Sequence, residues 1–312
     1  MTDLSSLRDA DTDTARAFLT EIGAEDLVAA IRATSDDDLL SVVGRDEIRP
    51  VAVEVILSRL HEYAVTERLV LLHGVVRFDL QRRGRLLERH GLELRGGEIV
   101  ARPDIAVEER VDVVLTTNVV RFLRLVSGER NAGLDYLAGT LDIRGDAALA
   151  IAVGGIFRVP GTHQVAMDPA ELDPVEVATV LRTVPLRRLR DVMASGFRSV
   201  VLDEIFRRLP EFLDERKARD VDLTVGFRLL GNPSGEIERY VVRVRDGVAK
   251  VDAGVAGEPR DATITCQGYD YLRVATGQLS PVIAVLKGQL KVRGDKGKAL
   301  QLSSLLEIPT AR

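Results

Sequence analysis

The chain has 312 residues, of which 46% are hydrophobic, 29% charged and only 4% aromatic, and its formal net charge is −5. That length suits about two domains, and an acidic balance argues against nucleic-acid binding, which needs a dominant basic surface. A lone Cys266 excludes an intramolecular disulfide or a cysteine-based metal cluster and suits a cytoplasmic setting, while no apolar run reaches the roughly 18 residues of a transmembrane helix.

Residues 1–16, rich in Asp, Thr and Ser, read as a flexible lead-in that buries little. The spacing of Phe18, Ile22, Leu27, Ala30 and Ile31 predicts a short helix or helix pair, and Ser35 before three aspartates caps another. Val53, Ile56, Leu57, Leu60 and Tyr63 form the apolar stripe of a longer helix. Strands follow. Val76, Phe78 and Leu80 share one strand face, and the strands 85–94 and 98–101 flank the tight turn Gly96-Gly97. Another strand covers 111–116, a helix over 119–127 stops at Gly128, a short helical turn leads to the strand 139–144, and a last helix spans 147–157.

The same order then returns. Gly128, Gly139, Gly145, Asp146 and Pro160 recur as Gly277, Gly288, Gly294, Asp295 and Pro309, each 149 residues later, and 111–160 matches 260–309 without gaps at thirteen of fifty positions. Upstream, Ile56, Arg59, Leu60, Phe78 and Leu80 pair at that offset with Ile205, Arg208, Leu209, Phe227 and Leu229. A period this long means two tandem domains, since solenoid units run about 20 to 50 residues. The expected division is a domain over 17–162, a linker over 163–169 and a domain over 170–312. Each is α+β, an approximately five-stranded, mostly antiparallel sheet with helices on one face. Pro210 should kink or restart the second copy's long helix.

Few residues propose chemistry. His61, His73, His90 and His163 fit no metal-ligand spacing and have no counterparts in the second copy, so surface or structural roles are expected. Arg144-Gly-Asp146 and Arg293-Gly-Asp295 lie at strand-to-helix turns, where Gly allows the bend and Asp caps the next helix. Gly154-Gly155 lacks the spacing of a dinucleotide loop, and the basic clusters at 82–85, 187–190 and 207–208 read as solvated faces. No acid, base or nucleophile repeats in both copies, so neither catalysis nor a cofactor or metal is expected. The last helix is different: 147–157 carries no charge until Arg158, so it needs apolar partners on more than one side.

The segment Gly288-Gln-Leu-Lys-Val-Arg-Gly-Asp295, preceded by Tyr271-Leu-Arg-Val-Ala-Thr-Gly277 and followed by an apolar C-terminal helix, resembles the sterol carrier protein 2 (SCP2) family. Phe122-Leu-Arg-Leu-Val-Ser-Gly128 and Gly139-Thr-Leu-Asp-Ile-Arg-Gly-Asp146 match it more loosely. The resemblance implies a five-stranded sheet whose helices enclose an apolar tunnel for a fatty acid, acyl-CoA, sterol or phospholipid. In the second copy the expected lining is Phe206, Leu209, Phe212, Val225, Phe227, Leu229, Tyr271, Leu290, Leu302 and Leu306. Transient membrane contact fits such a carrier. The rival expectation is a scaffold whose filled domains bind another protein through their apolar final helices. Limited proteolysis should cut first between His163 and Asp168; rapid cleavage inside both copies with that segment intact would count against two domains.

Overall fold

A computed structural model of the protein describes residues 4–162, 164–254, 257 and 259–309; His163 and the first three residues lie outside that set. The chain divides into two compact units, Met1–Asp168 and Pro169–Arg312. In the first, α1 (Thr12–Glu21), α2 (Ala24–Ala33), α3 (Asp36–Val43), α4 (Ile48–Ser58) and the short α5 (Thr66–Leu69) precede β1 (Gly74–Arg82), β2 (Arg85–Arg95), β3 (Glu98–Pro103) and β4 (Val113–Asn118). Then come α6 (Val119–Val126), α7 (Ala132–Ala138), β5 (Leu141–Gly145) and α8 (Ala147–Ile156). The second unit repeats this with α9 (Pro174–Thr183), α10 (Leu186–Met193), α11 (Arg198–Arg208), α12 (Glu215–Ala218), β6 (Leu223–Leu230), β7 (Glu238–Arg245), β8 (Val248–Ala253) and β9 (Ala262–Gln267). It ends on α13 (Gly268–Ala275), α14 (Pro281–Leu286), β10 (Leu290–Gly294) and α15 (Lys296–Leu305).

Both sheets have five strands, in the orders β3-β2-β1-β4-β5 and β10-β9-β6-β7-β8. Pairing is antiparallel except between β1 and β4 and between β6 and β9. The turn between β7 and β8 holds Asp246 and Gly247 at φ 49° and 77°, the double left-handed geometry whose twist suits a tight hairpin. At Gly145 and Gly294 the backbone is again left-handed, and an added Cβ would lie 2.0 Å and 2.4 Å from the carbonyls of Asp112 and Asp261. Asp146 and Asp295 then accept the Leu149 and Lys298 amide hydrogens, capping α8 and α15. The two Arg-Gly-Asp sequences are therefore structural turns. One face of the first sheet, carrying Val76, Phe78 and Leu80, packs with Leu57 of α4, Phe122 of α6 and Val153 of α8 in one apolar core.

Three expectations need correction. Residues 4–16 are not a loose lead-in: Leu4–Arg8 form a 3-10 turn, Leu4 and Leu7 are buried, and α1 begins at Thr12. One guanidinium explains much of this, because Arg45 donates to the carbonyls of Arg8 and Ala10. The break in the second long helix does not originate in Pro210. Both α4 and α11 give way to 3-10 turns at the same point, Leu60–Tyr63 and Leu209–Phe212, although the first contains no proline. There the chain is pulled into a bridge with the end of the closing helix. Val65 N donates to Ile156 O and Arg158 N to Tyr63 O, as Asp214 N does to Leu305 O and Glu307 N to Phe212 O. Finally, residues 164–167, expected within the linker, pack back on the end of α8 and supply part of its second apolar partner. After Phe157 the backbone turns back, Ala166 N donating to Phe157 O and Met167 N to Gly154 O, and Met167 lies so close that a Cβ on Gly154 would be 2.2 Å from its Cβ.

Each unit also buries one ion pair between the long helix and the sheet. Arg49 Nε donates to Glu88 Oε1 at 2.8 Å, and Arg198 grips Glu238 with two bonds of 2.7 and 2.9 Å while donating to the carbonyls of Met193 and Leu230. Burial raises the Glu238 carboxyl pKa, but the hydrogen bonds from Arg198 and its neighbours outweigh it and hold the group below its ordinary 4.5. A depressed folded pKa contributes stability that is full above the unfolded value and is lost as pH falls through the folded one. Arg198→Met should leave Glu238 uncompensated and cost about 3–5 kcal/mol, partly recovered by adding Glu238→Gln. Urea unfolding of the full chain measures this, and the parent's advantage over Arg198→Met should shrink as pH drops below 4.5.

Candidate functional site

The apolar residues singled out in the second copy lie within one unit, and three of them meet. Phe206 reaches from α11 toward the sheet, Phe227 points up from β6, and Tyr271 comes from α13. Phe206 and Tyr271 stack with centroids 4.9 Å apart, and both meet Phe227 edge-on at 5.3 and 5.5 Å. The cluster has a fourth ring that sequence reading missed. Tyr240 of β7 lies directly across the ladder from Phe227 and stacks on Phe206 at 3.8 Å and 11°. Its register beside Phe227 was the available signal, since residues opposite each other on one sheet face touch. The Tyr240 hydroxyl donates to Asp203 Oδ1 at 2.7 Å; burial and that acceptor both raise its pKa.

Around the rings, Val225 and Leu229 flank Phe227 on the same face of β6, and Leu209, Leu290 and Leu302 are buried. Leu290 pairs across β10 with Cys266 of β9. Phe212 and Leu306 stand apart, half-buried at the bridge that ties the 3-10 turn to the end of α15. At the equivalent positions the first unit carries Leu57, Phe78, His90 and Phe122, with a single edge-on ring pair, Phe78 and Phe122, at 5.7 Å.

Titratable groups outside this cluster do not assemble a reaction centre among the described residues. No group of three or more His, Cys, Asp or Glu side chains there could hold a metal ion. His61 Nδ1–H donates to the Ser58 carbonyl at an exposed helix end, and His73 is exposed. Burial pushes the Cys266 thiol up to about 12, far from the thiolate that nucleophilic chemistry needs.

The model of the SCP-2 sterol transfer family matches residues 53–158 and again 202–307. The chain belongs to the SCP-2 sterol transfer family. Each unit contributes one SCP-2 domain, and helices α1 to α3 and α9 to α10 lie mainly outside the matched segments. Sterol carrier protein 2 of Homo sapiens is 30% identical over 132 residues, 42% of this chain and 24% of that protein. Hydroxysteroid dehydrogenase-like protein 2 of Xenopus tropicalis is 27% identical over 105 residues, 34% of this chain and 24% of that protein. The chain therefore spans about a quarter of the length of these relatives. A crystal structure of Sterol Carrier Protein 2 Like 2 from Aedes aegypti aligns over 36% of this chain and 100% of its own, at 24% identity and a TM-score of 0.29.

Within the second SCP-2 domain, the burial of Cys266 makes it a reporter. A thiol reagent at neutral pH should leave native protein unlabelled and react fully in denaturant; rapid native labelling would show that β9 is open.

Proposed function

We propose that the chain is a cytoplasmic, non-catalytic lipid carrier that shelters a fatty-acyl, sterol-like or other apolar ligand between sheet and helices of its SCP-2 domains. Membership of a sterol transfer family in both halves carries this reading. An apolar layer around Phe206, Phe227 and Tyr271 supports it, since burying apolar ligand surface contributes about 25 cal/mol per Å² before ordering costs. Phe212 and Leu306, half-buried at the bridge between the 3-10 turn and the end of α15, suit the mouth of such a site, where a chain end would enter. The raised pKa of Cys266 keeps its thiol protonated, which suits an apolar wall better than a nucleophile. No helix of the described residues is long and apolar enough to cross a membrane.

A second reading, a scaffold that binds another protein, is favoured by one feature: α14 exposes Val282, Ile283 and Leu286, the last 81% accessible. Native mass spectrometry of purified protein, followed by organic extraction, separates the two by whether a lipid accompanies the chain. For the proposed lining, Leu302→Arg should abolish most binding of a fluorescent fatty acid, because an unpaired charge would enter the apolar layer. Val153→Arg, at the matching place in the first unit, should cost less. Circular dichroism must first show both variants folded. Binding retained by folded Leu302→Arg and lost by Val153→Arg would reverse the assignment of domains, and no lipid binding by the parent would favour the scaffold.

A further inference from the structure

The two interiors differ in how completely their polar groups are satisfied. In the second domain, Tyr240 donates to Asp203, and Glu238 accepts from Arg198 and from the Asn232 amide. In the first, His90 occupies the place of Tyr240, directly across the ladder from Phe78 as Tyr240 is from Phe227. His90 is only 2% exposed, yet its Nε2 has no hydrogen-bond partner. The nearest acidic atom, Glu88 Oε2, is 3.6 Å away, too far for a hydrogen bond. The other oxygen of Glu88 is occupied by Arg49.

Packing differs at the same spot. Where the second domain stacks Phe206 on Tyr240, the first has Leu57 and the smaller imidazole, so two of the four packed rings are missing. A buried imidazole nitrogen without a partner is rare in folded proteins, because the group loses its water and gains nothing in exchange.

We propose that the first domain binds an apolar molecule bearing a hydroxyl group, held by His90 and Glu88. This rests on the carrier reading above. The His90 Nε2–H donates to the hydroxyl oxygen, and the hydroxyl donates its own proton to Glu88 Oε2. An alcohol can do both at once. A carboxylate can only accept, and it would face Glu88, which burial pushes toward neutrality but which the Arg49 guanidinium bound to its Oε1 helps hold below the ordinary glutamate pKa and hence ionised. In the second domain the matching groups, Tyr240 and Glu238, are already paired, so that position offers no such site.

Equilibrium titration of the full chain tests this with three probes: a pyrene-labelled long-chain alcohol, the acid of the same chain, and the fluorescent sterol dehydroergosterol. His90→Tyr, which installs the second domain's own residue, should weaken alcohol or sterol binding about ten-fold, the loss of one buried hydrogen bond, and weaken acid binding less. His90→Gln keeps an N–H donor and should retain most of the affinity. Thermal melts establish that each variant is folded, and if His90→Tyr unfolds, the comparison of His90→Gln with His90→Leu decides. The linear alcohol and the sterol arms tell which molecular body the hydroxyl rides on. Equal losses for acid and alcohol, no loss for either, or a parent that binds acid but neither alcohol nor sterol overturns this proposal alone. A parent that binds none of the three overturns the carrier reading with it.

Discussion

A buried arginine–glutamate pair joins the long helix to the second strand in each half of this protein. Arg49 and Arg198 are only 5% and 3% exposed, so neither guanidinium has water to fall back on. Each must find its carboxylate, and the carboxylate sits at one position on the interior face of β2 or β7. An apolar helix could slide along an apolar sheet at modest cost, whereas sliding away from this pair would strand a charge. The pair therefore sets the helix register, and with it which apolar side chains meet: Leu57 above Phe78 and Phe122, or Phe206 above Phe227, Tyr240 and Tyr271.

Within that common frame, the two interiors have diverged. The second domain fills its centre with four aromatic rings and pairs Tyr240 with Asp203 and Glu238 with Arg198. The first gives up two of those rings and carries an unpartnered imidazole beside a glutamate. Duplication makes such a division accessible: with one scaffold held twice by an arginine–glutamate pair, Leu57 and His90 stand where the second domain has Phe206 and Tyr240, on an equivalent sheet.

Arginine does further work at the edges of each unit. Arg32 and Arg124 donate to main-chain carbonyls of Ser127 and Pro160 and of Ile31 and Thr34, and Arg59 does so at Leu19 and Ile22. All but that of Pro160 lie at helix ends, where the last turn leaves acceptors unused. The planar guanidinium, with five donors, can serve two or three such ends at once. That is why the helices before the first sheet hold together despite a polar composition at their start.

Much of this was legible in the chain. Duplication, the α+β class, the hairpins and the helix caps follow from glycine spacing, alternation of apolar residues and Asp or Ser at helix starts, which are local properties with short-range causes. The apolar residues of the second interior were legible for the same reason, through their period in helix and strand. Three things were not. The glutamates of the ion pairs were hidden because the hairpin before Glu238 is one residue longer than that before Glu88, so they fall out of the 149-residue register that aligns Arg49 with Arg198. Tyr240 and His90 became partners of the ring clusters only through cross-strand register. The order of residues 4–16 came from Leu4, Leu7 and Arg45, groups far apart along the chain. The sequence by itself determined which elements form and that they form twice, since those choices are made within a few residues. Only the tertiary structure decided which buried polar groups find partners and which, like His90, do not, because that depends on which side chains from distant elements arrive at the same point.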